Sequence, residues 1–262
     1  MPPESETQTG HARAASGDEL KLLVHEASEE TLLAVLENPN LKEEHVTLLL
    51  ERLDLSANVL SAIGGEGKWI AAESVRVRLA RHPRTPKRTA LAMVRQLYLF
   101  DLLRLSLLPS TPADIRRAAE EAIVSRVPHL PVGEKLTLAR RGPSRVAGAL
   151  LAEGQPQATK LALANPFLTE SQVLKVLAKP GVAERVVAAI ARHPRWSRQY
   201  EVRMALLRNG HAPVPSVLEF LPDLKLRDLK EISTIAELAA PVRKYVVQEM
   251  VRRAKTEELP ER

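Results

Sequence analysis

One passage of this chain, Val75-Arg76-Val77-Arg78-Leu79-Ala80-Arg81-His82-Pro83-Arg84-Thr85-Pro86, returns in altered form as Val202-Arg203-Met204-Ala205-Leu206-Leu207-Arg208-Asn209-Gly210-His211-Ala212-Pro213. No other feature constrains the fold as strongly. The offset is 127 residues, and without a gap it also carries Asn38-Pro39 onto Asn165-Pro166, Trp69 onto Trp196, Asp101-Leu102 onto Asp228-Leu229 and Arg116 onto Arg243. Inside each copy, successive Asn-Pro, His-Pro or Asn-Gly corners lie 44 residues apart. A unit of roughly 40 to 47 residues has the length of a two- or three-helix solenoid repeat.

The passage itself reads as the end of one helix, a tight corner and the start of the next. Val75 and Leu79 keep a helical period, and His82-Pro83 and Thr85-Pro86 interrupt it. The composition, 45% hydrophobic but only 3% aromatic, supplies helix formers and few strand formers. The 19 prolines punctuate helices at their corners. An all-α fold is therefore expected, with Ser28 and Ser56 as N-caps, Thr169 and Gln172 at capping-box spacing, and Thr85 and Thr111 placing a capping oxygen before a proline. Asp101 and Asp228 read as helix caps.

The expected layout is a disordered tail over 1–17, a continuous helical array over 18–254 and a polar tail over 255–262. Within the array the copies span about 31–127 and 158–254, joined by linking helices over 128–157. Met1 to Gly17 lacks the apolar centre of a signal peptide, and no run of about 18 apolar residues occurs, so no membrane insertion is expected. With no Cys, disulfides and thiolate sites are excluded, in keeping with a cytoplasmic protein.

The Val-Arg-x-x-Leu-x-x-(Asn/His)-Pro-x-Thr-Pro pattern at 75–86, echoed at 202–213, resembles the leucine-rich repeat variant and the wider HEAT/armadillo group. The resemblance covers most of 18–254, although the corners here are spaced more widely than short uniform repeats. It implies a right-handed α-solenoid of stacked helical hairpins with a concave face for partners. The cysteine cluster of some such proteins is missing, so no iron-sulfur group is implied, and no cofactor is expected. In HEAT repeats an arginine after Val or Ile commonly pairs with an acid of a neighbouring unit. By that resemblance Arg76, Arg116, Arg203 and Arg243 form a structural ladder, with Glu73, Asp114 and Glu201 nearby in sequence.

Chemical motifs are weak. Gly64-Gly65-Glu66-Gly67-Lys68 is too short between its glycines for a phosphate-binding loop, and Trp69 stands where Ser or Thr would hold magnesium. The second copy has Ala191-Arg192-His193-Pro194-Arg195 there, which asks only for a corner. The histidines are scattered singly, with no His-Glu-x-x-His spacing, and no metal site is expected. No catalytic residues stand out, and the chain reads as no enzyme.

Charge is the one feature that points outward. Residues 1–60 carry a net charge of −8, so the remainder carries +14. Between Arg76 and Arg95 there are seven basic residues and no acid. The candidate partner-binding residues are Arg78, Arg81, Arg84, Lys87 and Arg88 in the first copy, with Arg195, Arg198 and Arg208 in the second. A positive stripe attracts an acidic protein or nucleic acid. The expected function is a scaffold or adaptor for a protein or acidic peptide. The alternative is a nucleic-acid-binding array, at its furthest an enzyme similar to the HEAT-like alkylpurine glycosylases, using the stripes at Arg76–Arg95 and Arg192–Arg208. Low aromatic content argues against single-strand stacking.

Overall fold

The computed structural model describes residues 4–26, 28–235, 238 and 240–257. Among these, every regular element is helical and no strand occurs. The chain divides into two compact units, Met1–Ser125 and Arg126–Arg262. The first contains α1 (Glu4–Ala14), α2 (Asp18–Glu26), α3 (Glu29–Leu36), α4 (Glu43–Leu49), α5 (Ala57–Gly65), α6 (Gly67–Ile70), α7 (Glu73–Arg81), α8 (Lys87–Gln96), α9 (Leu99–Leu107) and α10 (Ala113–Arg126). The second contains α11 (Val132–Arg141), α12 (Ser144–Glu153), α13 (Pro156–Leu163), α14 (Glu170–Leu177), α15 (Glu184–Arg192), α16 (Tyr200–Arg208), α17 (Val214–Phe220), α18 (Leu226–Ser233) and α19 (Ala240–Glu257). Among the described residues no helix is long and apolar enough to cross a membrane.

Short helices of this kind are marginal alone and are held by the face they bury. In the first unit α2 packs on α3 and α4, with Leu20, Val24, Leu32, Val35, Val46 and Leu49 all buried. Helix α7 packs on α8, burying Val75 and Leu79 on one and Met93 and Val94 on the other. In the second unit Leu207, Val217, Leu221, Leu229, Ile232, Val242 and Val246 form one core that joins α16 to α19. Burial of each such side chain contributes about 1.5–3 kcal/mol.

The helix ends follow from local chemistry. Ser28 and Ser56 accept from the backbone N–H of Thr31 and Val59 at 3.4 and 3.3 Å. Gln155 does the same for Ala158 at 2.6 Å. Pro86, Pro131, Pro143 and Pro213 each precede a helix as its N-cap, where a missing N–H costs little. Gly154 ends α12 in the left-handed region, φ 78°, which a side chain would strain.

Several local expectations need correction. Thr169 makes no cap bond to its helix; its hydroxyl meets that of Ser144 at 2.9 Å, so no capping box forms with Gln172. The Thr85 and Thr111 hydroxyls are buried with no hydrogen-bond partner among the described residues, so neither caps a helix. Asp101 and Asp228 lie inside the first turns of α9 and α18 and are not N-caps. The segment expected as a tail over 1–17 contains α1, which packs on α3 with Ala12 and Ala15 buried. Its polar composition conceals two small contact residues and the carbonyls that Asn38 binds. Likewise α19 continues through Glu257; residues 1–3 and 258–262 of the expected tails lie outside the described residues.

Corner side chains, buried at Asn38, His82 and Asn165 and half-buried at Asn209, replace the main-chain bonds that the turns lack. Asn38 donates to the carbonyls of Ala12 and Ala15 at 2.8 and 2.9 Å and accepts from Asn40 N–H at 2.8 Å. Asn165 donates to Ala139 and Gly142 at 2.8 and 3.0 Å and accepts from Phe167 N–H at 2.7 Å. His82 performs the same task with a ring. Its Nδ1 accepts from Arg84 N–H at 3.2 Å, which leaves Nε2 to donate to the Arg52 carbonyl at 2.7 Å. Asn209 binds the Leu177 carbonyl at 3.3 Å and accepts from His211 N–H at 3.0 Å.

Candidate partner-binding surface

In α7 the buried residues Val75, Leu79 and Ala80 occupy one face, which turns Arg78 and Arg81 toward solvent. Arg76 behaves differently. Its guanidinium bonds the carbonyls of Ile70 and Ala71 at 2.7 and 2.9 Å and pairs with Glu73, with its side chain only 12% exposed. Arg203 bonds the Ser197 carbonyl and the Asp223 carboxylate, each at 2.6 Å, and stands over the Phe220 ring. Arg116 donates to the Pro109 carbonyl at 3.1 Å and Arg243 to the Ile235 carbonyl at 2.8 Å. These four arginines therefore bind carbonyls of the turns just before their own helices. Of the nearby acids, Glu73 serves Arg76, while Asp114 pairs with Lys87 at 3.2 Å.

Five of the eight candidate cations are engaged within their own unit, three by acids and two by backbone carbonyls. Arg78 meets Glu51 at 3.2 Å, and Arg84 donates to the Asp54 carbonyl at 2.7 Å. Lys87 holds the Asp114 carboxyl below its ordinary pKa, chiefly by their hydrogen bond. Arg195 reaches the carbonyls of Asn165 and Leu168 at 3.4 and 3.1 Å, with its guanidinium 4.2 Å from the Trp196 ring centre. Arg208 pairs with Glu231 at 2.6 Å. Arg81, Arg88 and Arg198 remain exposed, without a hydrogen bond or ion pair from their side chains to another described residue.

A groove of about 460 Å³ opens beside Arg81 in the first unit. Leu50, Glu51 and Leu53, at the end of α4 and in the following turn, form one side; Arg78, Arg81 and Pro83 form the other. His82 and Ser110 complete it, and both His82 ring nitrogens are already committed to the backbone. Leu53 is 69% exposed, an apolar side chain presented to solvent next to cations. Close by, the Asp54 carboxyl is lowered to about 2, first by its hydrogen bond to Arg52 and slightly by the charge of Arg84.

Helix α9 carries a second electrostatic feature. Burial, followed by a hydrogen bond to Glu73, raises the Asp101 carboxyl, while Arg104 opposes the shift. In the second unit the Tyr200 hydroxyl bonds the Asp228 carboxylate instead. Among the described residues no group of three or more His, Asp or Glu side chains is arranged to hold a metal ion.

The sequence singles out Arg78, Arg81 and the corner residue Pro83 but not Leu53, because an exposed leucine in a turn has no periodicity to mark it. A signal for Arg104 was available. Offset by 127, it falls on Glu231, a reversal of charge at otherwise matched positions. No family model, no curated protein and no solved structure matches this chain.

Proposed function

We propose that the chain is an internally duplicated, HEAT/armadillo-like α-solenoid that works as a cytoplasmic, non-enzymatic scaffold or adaptor, presenting the basic surface of α7 and α8 to a protein partner. The repeat part of this reading is supported by hydrogen bonds that recur at the 127-residue offset. Asn38 with Ala12 and Ala15 corresponds to Asn165 with Ala139 and Gly142. Arg76 with Ile70 corresponds to Arg203 with Ser197. Lys68 lies 4.3 Å from the Trp69 ring centre as Arg195 lies 4.2 Å from that of Trp196. Both tryptophans are buried. On this reading α1 and α2 are the counterparts of α11 and α12, so each copy begins well before residue 31 or 158.

The observation that carries the functional part is that most of the stripe's cations are already engaged within the chain. A phosphate-tracking surface needs a row of available cations. Here Arg78, Arg84, Lys87, Arg195 and Arg208 bind their own protein's acids or carbonyls, and the available Arg81 adjoins an apolar groove. Isolated cations beside apolar surface suit a protein or acidic peptide. The test is affinity capture on the full chain with and without nuclease, alongside titration of a mixed-sequence DNA duplex over a range of salt. Protein species that survive nuclease, with weak duplex binding, are expected. Capture that vanishes with nuclease, together with a steep salt slope of about 0.9 per phosphate contact, refutes the scaffold in favour of nucleic-acid binding.

A further inference from the structure

The 127-residue offset that aligns the copies sets Arg81 against Arg208 and Arg104 against Glu231. In the second unit these positions hold an ion pair, Arg208 to Glu231 at 2.6 Å. In the first unit both are arginines. Arg104 keeps only a 3.7 Å contact with Asp101, its side chain 80% exposed, and Arg81 has no acid of its own. The first copy, which has Arg104 where the second has Glu231, carries the groove beside Arg81. Position 53 is Leu where the second copy has Pro180, and position 83 is Pro where it has Gly210.

From this difference we infer that the groove between the end of α4 and the end of α7 binds an acidic–apolar segment of a protein partner, a carboxylate docking at Arg81 beside an apolar side chain that covers Leu53. The inference rests on the scaffold reading above and names its ligand. A carboxylate at Arg81 takes the part that Glu231 plays for Arg208, and Arg104, aligned with Glu231, brings no competing carboxylate. Leu50, Leu53 and Pro83 give the neighbouring side chain an apolar seat. A space of about 460 Å³ lies within the usual range for a side-chain-sized or small-molecule site. Nucleic acid fits less well. No aromatic residue lines the groove for a base to stack on, whereas Leu50, Leu53 and Pro83 offer a side chain apolar contact.

The test uses the full chain and an array of short peptides in a Gly/Ser background, each carrying one Glu or Asp near one Leu, with twins in which Gln or Asn replaces the acid. Acidic members should bind more tightly than their twins by roughly tenfold, the contribution of one charge-assisted hydrogen bond. Arg81→Glu and Arg104→Glu should each remove that preference, and Leu53→Ser should weaken the best peptide. Lys160→Glu on α13, remote in sequence from the groove, should leave it intact. Thermal melting checks that each variant is folded, and Arg81→Gln serves if Arg81→Glu is not. Equal binding of acidic and neutral twins overturns the inference, as does a preference that survives in folded Arg81 variants. Tighter, Arg81-dependent binding of a single-stranded oligonucleotide overturns it in favour of nucleic acid. Nuclease-resistant capture without acid preference removes this groove and leaves the scaffold standing, whereas nuclease-sensitive capture removes both.

Discussion

Asn165→Ala should be among the most damaging single substitutions in the second unit, although it removes only an amide. Asn165 is 1% exposed, and its side chain makes three bonds of 2.7 to 3.0 Å. The Ala139 carbonyl depends on it strongly: the N–H that would close the next helical bond belongs to residue 143, a proline with no N–H. At about 1 kcal/mol net per bond, the loss comes to about 3 kcal/mol. With a urea m value of about 2 kcal/mol/M, the unfolding midpoint falls by about 1.5 M. Two compact units need not unfold together, so the reporter must be local. Trp196, 1% exposed and donating to the Leu163 carbonyl at 2.9 Å, is that reporter once Trp69→Phe silences the other indole. Phe167→Ala, at a side chain 53% exposed, is the comparison and should cost less. Asn165→His should recover part of the loss, since His82 satisfies a corner with its ring. A midpoint for Asn165→Ala no lower than that of Phe167→Ala would refute the assignment of corner stability to these amides.

Three further outcomes follow from the charges. Arg203→Ala should destabilise the second unit by about 1–2 kcal/mol, chiefly by leaving a turn carbonyl without its guanidinium, while peptide preference in the array stays unchanged; unchanged melting sinks the structural role. His193 has its pKa lowered, first by burial and then by Arg195, so the folded state favours the neutral ring; its stability contribution is complete above about pH 6.5 and declines as pH falls through that value toward the folded pKa. Melting of His193→Asn should therefore fall less than wild type between neutral pH and pH about 5.5, and parallel curves would contradict this. Asp101 is raised, so the protonated form favours folding at acid pH and this contribution is lost as pH rises above its ordinary value of 3.8 through the folded pKa; Asp101→Asn should melt higher than wild type at neutral pH, with the gap closing in acid.

What the sequence made legible was whatever repeats or keeps a helical period. The helix class, the corners at Asn38, His82, Asn165 and Asn209, and the matched tryptophans all carry such a signal. The capping assignments at Thr85, Thr111 and Thr169 did not hold, because a hydroxyl before a helix can turn into the core or toward another side chain, and composition does not say which. The first helix was hidden for a related reason. Residues 4–14 have almost no apolar period, and their place in the fold depends on Ala12 and Ala15 lying under Asn38, a contact made across more than twenty residues. Extending the offset backward from Asn38 would have aligned Ala12 with Ala139 and so exposed α1.

The basic stripe was legible as charge, while its internal partners were not. A count of arginines records no partners, and five of the eight candidates are committed to acids or carbonyls of their own unit. On the duplicated reading proposed above, packing accounts for the positions that agree at the 127-residue offset: a corner amide or a turn-binding arginine has one geometry that satisfies the backbone. Groove positions face no such constraint. A change from Glu to Arg at the solvent-facing end of an ion pair costs little stability, because exposed pairs contribute about 0–1 kcal/mol. It nevertheless takes away the carboxylate that pairs with Arg208 at the offset position. On that reading, differences at the offset gather where packing permits them, and Arg104 against Glu231 is one such position.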